Sequence, residues 1–310
     1  MDTIAGLVSV AIPTYKGKYL YKSINSALNQ DYKNIEIIVV NDHSPYDIES
    51  IVYSFNDPRI HYYFNPKNIG KEDPTINWNK CLEYANGEFF VLLCDDDILY
   101  PTFVEELLKL ANKYPDCNVF HSPKCIIDGN GVIIKEEDLW PEWESLNDFY
   151  KQKKKYNRFH TITEFLYRTD YIKKLKYIEF PVAWGSDDIS IINFAKKGGI
   201  ASINKRLAAF RVNDEHISKD DTHLYEKAKA RILNFLWLAE FFEGDKYNAQ
   251  YMEHLGKLMK EFIKRAKYID KFRILIIVPH QTWNCLKKIK VLVGIILFRY
   301  KHPGYGAIGV

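Results

Sequence analysis

Short apolar runs rich in β-branched residues alternate with amphipathic stretches through the first hundred residues. Leu7 to Ile12, Ile35 to Val40, Ile60 to Phe64 and Glu88 to Cys94 each read as a strand bounded by polar breaks. Between them, Tyr19 to Leu28 and Thr75 to Tyr84 place apolar side chains at helical spacing. This alternation predicts βαβ units and a largely parallel sheet. In such open sheets ligands bind beyond the carboxyl ends of the strands, so the loops that follow them are where chemistry is to be sought.

After Pro101 the spacing predicts a helix to about Tyr114, a strand near Asn118 to His121, and a hairpin turning at Asp128-Gly129-Asn130-Gly131. From Glu136 to Lys155 the chain is strongly polar, acidic first and lysine-rich last, and reads as a mobile loop. A second α/β stretch follows: a helix over Asp188 to Lys197, Gly198-Gly199 as its stop, and strands near Ile200 to Ile203 and Arg206 to Phe210. Beyond Asp220 the pattern is helical and aromatic-rich.

With 47% hydrophobic and 27% charged residues in 310, the chain has the composition of a globular protein. Its net charge of +3 is too small to indicate nucleic-acid binding, but it is unevenly spread. From Lys271 onward there are seven basic and no acidic residues, which leaves −4 on the first 270. Residues 271–302 therefore suit an anionic membrane surface, or else a solvated basic face on a packed segment. The apolar runs Ile274 to Val278 and Val291 to Phe298 fall short of the roughly 18 residues that a spanning helix needs. The start of the chain lacks a secretory pattern, and the five cysteines lack zinc-site spacing, so a cytoplasmic location with reduced thiols is expected, peripheral on the inner face of the cell membrane if the tail binds lipid.

The strongest chemical signal is the apolar run Phe89 to Cys94 entering Asp95-Asp96-Asp97. Adjacent carboxylates oppose joint ionisation unless a cation or a set of donors neutralises them. Hard divalent ions such as Mg2+ or Mn2+ meet that need, whereas capping the next helix needs one Asp only. A second acidic pair, Asp187-Asp188 after Ala183-Trp184-Gly185-Ser186, opens a helix and suits either base catalysis or capping. Trp140, Trp143, Tyr150 and Tyr156 suit either stacking on a sugar or the core. Gly304-Tyr305-Gly306-Ala307-Ile308-Gly309 fits a dinucleotide fingerprint in letters but has no helix after it, and no P-loop motif is present.

Several motifs stand in one order between Val8 and Ser218: Val8 to Tyr15, Glu36 to Ser44, Asn68-Ile69-Gly70, Asn79, Gly87, the acidic triplet, Asp187-Asp188, and Phe210-Arg211 with His216-Ile217-Ser218. In that order the chain resembles the family 2 glycosyltransferases, inverting enzymes of the GT-A fold. The resemblance implies an α/β GT-A domain, a Rossmann-like mixed sheet flanked by helices, over residues 1–217. Its nucleotide-sugar half would cover 1–100 and its acceptor half 101–217, with a helical C-terminal extension over 218–310. It assigns Pro13, Thr14, Tyr15, Asp42, Asn68, Gly70, Asn79, Asp95, Asp96 and Arg211 to the donor, and Asp96, Asp97 and His216 to a Mg2+ or Mn2+ ion. It makes Asp187 or Asp188 the base, and the loop near 136–158 a cover for the donor. The family commonly reads Asp-x-Asp-Asp before its proline, and alignment on Pro101 puts Cys94 at the first Asp.

The implied reaction moves a sugar from a nucleoside diphosphate, a UDP-sugar first, to a hydroxyl of a glycan or lipid-linked glycan. Two rivals share the acidic sheet edge. A nucleotidyltransferase making a nucleotide sugar would want a more basic, glycine-rich loop than Pro13 to Lys18 offers. A silent nucleotide-sugar-binding subunit is suggested by Cys94.

Overall fold

The computed structural model describes residues 3–156, 158–212 and 223–242. The expectations for His216, for the tail 271–302 and for most of the extension 218–310 lie outside these residues. The chain divides into two compact units, Met1–Glu179 with Gly185–Asp220, and Phe180–Trp184 with Asp221–Val310.

The first unit opens with β1 (Ile4–Thr14), α1 (Leu20–Leu28), β2 (Ile35–Asn41), α2 (Ile48–Tyr53), β3 (Ile60–Phe64), α3 (Pro74–Tyr84) and β4 (Gly87–Leu92). It continues through β5 (Ile98–Leu99), α4 (Phe103–Lys113), β6 (Val119–His121), β7 (Lys124–Ile127), β8 (Ile133–Glu136), β9 (Trp143–Glu144) and α5 (Leu146–Tyr156). It ends with β10 (Phe165–Arg168), α6 (Thr169–Leu175), α7 (Ser186–Phe194), β11 (Ile200–Ser202) and β12 (Ala208–Arg211). These strands form an eight-stranded sheet in the order β3-β2-β1-β4-β10-β6-β11-β9 and a four-stranded sheet in the order β5-β12-β7-β8. The large sheet is mixed: β3, β2, β1 and β4 run parallel, while β10 pairs antiparallel with both β4 and β6. The α/β GT-A class expected from the sequence describes this architecture.

Local chemistry explains most element ends. Asp73 accepts from the Thr75 amide, and Pro74 opens α3, where its missing N–H costs nothing. Asp47 caps α2 in the same way through Ser50. That helix is only six residues long, too short for periodicity to reveal within a polar break. Gly198 and Gly199 stop the chain after α7 in left-handed conformation (φ +91° and +75°), and a Cβ on Gly198 would lie 2.0 Å from the Asp116 carbonyl. The hairpin β7–β8 forms at the expected turn, with the Asp128 amide donating to the Val132 carbonyl.

One expectation is corrected. The stretch read as a mobile loop over 136–155 contains β9 and then α5. Ser145 caps α5 by accepting from the Asp148 amide, and the ring of Phe149 is wholly buried against Trp140 and His160. The Ser-x-x-Asp spacing was a visible start signal. A single buried face, rather than average polarity, decided the outcome.

The core between helices and sheet is built from Val8, Val10, Ile12, Ile37, Val39, Phe89 and Val91 of the strands and from Leu20, Ile24, Phe103, Val104 and Leu107 of α1 and α4. In the second unit, the 3-10 turn Pro181–Ala183 and α8 (Leu224–Phe241) are described. There the Asn234 amide donates to the Trp184 carbonyl, and the Lys227 ammonium lies 4.7 Å from the Trp184 ring centre. Among the described residues no helix is long and apolar enough to cross a membrane.

Candidate functional site

The strand order creates a switch point. From β1 the chain winds outward to β2 and β3, then returns through α3 to pair β4 on the other side of β1. Loops leaving two neighbouring parallel strands in opposite senses open a crevice beyond the strand ends. At this switch the turn after β1 carries Pro13, Thr14 and Tyr15, and the turn after β4 carries Asp95, Asp96 and Asp97.

These turns are laced together through one carboxylate oxygen. Asp95 Oδ2 accepts from Thr14 Oγ1 at 2.9 Å and from the Tyr15 and Lys16 amides, each at 3.1 Å. Asp97 points the other way. It is fully buried, and its two oxygens accept from Thr163 Oγ1 at 2.6 Å and from the Arg211 amide at 3.0 Å. Asp96 is left half-buried between them. Burial, and after it the charge of Asp96, raises the Asp95 carboxyl to about 6 and the Asp97 carboxyl to about 8. The three acids thus repel one another as they stand, the condition that a bound hard cation relieves. Asp95 Oδ1 and the Asp96 carboxylate fit such an ion in chemistry, whereas Asp97 is engaged in the core.

Arg211 is 1% exposed. Its guanidinium donates to the carbonyls of Asp96 (2.8 Å), Asp128 (2.9 Å) and Gly129 (3.3 Å) and stacks 4.6 Å from the Tyr19 ring centre. In this arrangement it brackets the acidic turn.

Beside the switch, the Asp42 amide donates to the Thr14 carbonyl, joining the ends of β2 and β1. The Asp42 carboxylate gathers Asn65 Nδ2 (2.9 Å), the Ile69 amide (2.9 Å) and the Gly70 amide (2.7 Å). A Cβ on Gly70 would sit 2.8 Å from Asp42 Oδ2, so a side chain there would push against that carboxylate. Asn68 Oδ1 is buried there with no hydrogen-bond partner among the described residues. Asn79 is not part of this group: its amide is clasped to the backbone of Tyr177 as both donor and acceptor.

The second acidic pair opens α7. Gly185, with φ 78°, turns the chain into the helix, and both aspartates lie in its first turn. The Asp187 carboxyl is raised to about 7 by burial and then by the charge of Asp188. Asp188 Oδ1 lies 2.7 Å from Lys153 Nζ and 2.8 Å from His160 Nε2, with its side chain 39% exposed. Burial alone would raise this carboxyl, but His160 and the Lys153 ammonium outweigh it and hold it well below the usual carboxylate range.

There is a third cluster of titratable groups. His121, Glu137 and Glu164 bring ligand atoms within 4.8 Å of one another. The buried Lys124 ammonium sits among them, 2.7 Å from Glu164 and 3.2 Å from Glu137, and so supplies the positive charge from within the chain. Trp140 stacks on His121 at 3.5 Å and is core, whereas Trp143 stays exposed.

Sequence reasoning missed Lys153, His160 and Thr163. Thr163 Oγ1 both donates to Asp97 and accepts from the Cys94 amide, 66 and 69 positions away. Nothing local marks such residues, because their partners arrive only with the tertiary fold.

Comparison with known proteins bears on the family and the fold. The chain is 38% identical over 132 residues to the GalNAc(5)-diNAcBac-PP-undecaprenol beta-1,3-glucosyltransferase of Campylobacter jejuni, a match covering 42% of this chain and 41% of that protein. With an uncharacterized glycosyltransferase of Rickettsia typhi the figure is 39% over 119 residues, covering 38% of this chain and 36% of that one. The chain thus spans well under half the length of these curated relatives. In fold it is similar to S. aureus TarS 1-349 in complex with UDP-GlcNAc, with TM-score 0.64, 18% identity, and 89% and 82% of the two chains covered. Residues 9–176, more than half of the chain, match the model of glycosyl transferase family 2, and this chain belongs to that family.

Proposed function

We propose that this chain transfers a sugar from a nucleoside diphosphate donor, a UDP-sugar first, to a hydroxyl of a glycan or lipid-linked glycan, with inversion at the anomeric carbon. The observation that carries the donor site is the switch point, where Asp95 is anchored by one oxygen to the β1 turn and half-buried Asp96 follows it. Thr14, Tyr15 and Asp42 line the same strand ends, and the unpartnered Asn68 Oδ1 offers a directional acceptor for a nucleotide N–H or hydroxyl. Mg2+ or Mn2+ held by Asp96, with Asp95 beside it, would offset the charge that develops on the departing diphosphate. A mannosyltransferase from Pyrobaculum calidifontis, solved with GDP-Man and Mn2+, has the same fold at TM-score 0.54 and 15% identity, covering 96% of this chain and 81% of that one.

Inversion in one displacement needs a carboxylate that takes the acceptor proton as the hydroxyl attacks. We assign that role to Asp188. Support comes from ionisation: the Asp188 carboxyl is held well below the usual carboxylate range, whereas the Asp187 carboxyl is raised to about 7. The undecaprenol-linked acceptor in the name of the Campylobacter relative, together with the basic tail, favours work at the inner face of a membrane. The test is a thermal-shift screen of UDP-, GDP-, dTDP- and CMP-sugars with and without Mn2+, followed by detection of released nucleotide. A UDP-sugar should raise the melting temperature most, and only with the ion present. A flat response to every donor defeats the reading.

A further inference from the structure

The lysines at the end of the polar stretch are not equivalent in the fold. The Lys151 side chain is 69% exposed and reaches Asp148, on the same helix, only at 3.8 Å. The Lys153 side chain is 19% exposed. Spacing explains the difference: Lys153 stands four positions after Phe149, so the two share one face of α5, and the wholly buried Phe149 ring turns that face inward. The chain after the helix is held as well. The Arg158 amide donates to the Lys153 carbonyl at 3.2 Å, while the Arg158 guanidinium pairs with buried Glu144 at 2.7 Å and lies 4.5 Å from the Trp140 ring centre.

From this place Lys153 Nζ donates to Asp188 Oδ1 at 2.7 Å, the length of a charge-assisted hydrogen bond, across 35 positions of sequence. The ammonium also donates to the Arg158 carbonyl at 3.4 Å and lies 3.4 Å from His160 Nδ1. Burial and then the Lys153 charge hold the His160 ring down to about 4, so of these two neighbours of Asp188 only Lys153 is charged near pH 7. The charged and titratable groups around the pair are Asp187 of α7, His160 ahead of β10 and, facing His160, Lys124 of β7.

We infer that Lys153 is a positioning residue for Asp188 in sugar transfer: carried in by α5, its ammonium tethers the carboxylate and opposes its protonation. This rests on the assignment of Asp188 as base. The sign follows from the charge. With the ammonium removed, the carboxyl takes up its proton at higher pH, and the base is lost first on the acid side of neutrality.

Two measurements test it, the first independent of turnover. Carbon NMR of carboxyl-labelled aspartate, with Asp188→Asn to assign the signal, follows the titration of Asp188 in the parent and in Lys153→Met. The midpoint in the variant should lie higher by about 1 pH unit or more. An unshifted midpoint overturns the tether whatever the kinetics show. The second measurement is Mn2+-dependent release of UDP from UDP-GlcNAc between pH 5 and 8 in the parent, Lys153→Met, Lys153→Arg and Asp188→Asn. In Lys153→Met kcat should fall on the order of 10-fold at pH 8, as for a misplaced catalytic group, and further toward pH 5, with donor KM little changed. Lys153→Arg, which keeps the charge and the N–H donors, should recover most of the rate and the level pH profile. A loss in Lys153→Met with the pH dependence of the parent, or equal losses in the Met and Arg variants, reduces Lys153 to packing and overturns the role. A kcat above that of the parent makes the ammonium a brake and overturns it too. Parent-like kinetics in Lys153→Met, with Asp188→Asn impaired, overturn Lys153 alone and leave the base standing. Full turnover in Asp188→Asn removes the base assignment and this role with it.

Discussion

At the residue scale the three consecutive aspartates have three different jobs, because their side chains leave the turn in different directions. Asp97 is buried on Thr163 and the Arg211 amide, so Asp97→Ala strands two donors in the core. We expect it to lower stability by about 1–3 kcal/mol, the range for an orphaned buried polar group, measured by chemical denaturation. Asp96→Ala should instead leave the unfolding midpoint nearly unchanged and abolish Mn2+-dependent donor binding by calorimetry. If Asp96→Ala binds donor and ion like the parent, the ion belongs elsewhere. The acidic pair on α7 is separable by pH. Asp188→Asn should cut kcat by about 10²-fold or more with donor affinity spared. Because the Asp188 carboxyl lies below the usual range, it remains a base as pH falls, and kcat should stay level down to about pH 5. The Asp187 carboxyl, raised to about 7, would be protonated and useless as a base on the acid side of neutrality. An acid limb near pH 7 that disappears in Asp187→Asn would transfer the role to Asp187.

At the element scale, the switch point depends on β1 and β4 approaching at full sheet contact, and Gly87 permits it. A Cβ there would lie 2.6 Å from the Leu7 carbonyl and 2.7 Å from the Ser9 amide, both backbone atoms that cannot swing aside. The Gly87 amide also donates to Ser9 Oγ, which in turn donates to Glu36. Gly87→Ala should therefore cost about 1–3 kcal/mol by overpacking, with donor affinity falling because the β4 turn shifts against the β1 turn. Wild-type stability in that variant would mean that the strands separate without cost. The helix α5 teaches the complementary point. Its composition is that of a loop, but Ser145 starts it and Phe149 anchors it, and the same helix delivers Lys153 to Asp188. An expected lid is thus an ordered part of the α7 site.

At the scale of the whole molecule, the charge imbalance makes a prediction of its own. The seven basic residues after position 270, set against −4 on the rest, should bring the full chain down with phosphatidylglycerol vesicles at low salt. Pelleting should fail with phosphatidylcholine vesicles and at high salt, where screening shortens the reach of each charge. Equal recovery in the supernatant under all three conditions would leave the tail to protein packing. Much of the architecture was legible beforehand. The strands β1 to β4, the helices α1 and α3, the β7–β8 turn and the glycine stop after α7 rest on periodicities and backbone requirements carried by consecutive residues. The acidic turn was legible for the same reason, since three adjacent carboxylates declare an electrostatic problem in one dimension. How that problem is divided was not. Asp95 goes to the β1 turn, Asp97 to Thr163 and Arg211, and Asp188 to Lys153 and His160. Each of these partners is distant in sequence, and ionisation depends on burial and on charges that only folding brings near. The sequence alone thus determined which strand ends carry chemistry. The tertiary structure decided which carboxylate oxygens are tied down and which are left open, because a hydrogen bond needs atoms within about 3 Å in space whatever their separation along the chain.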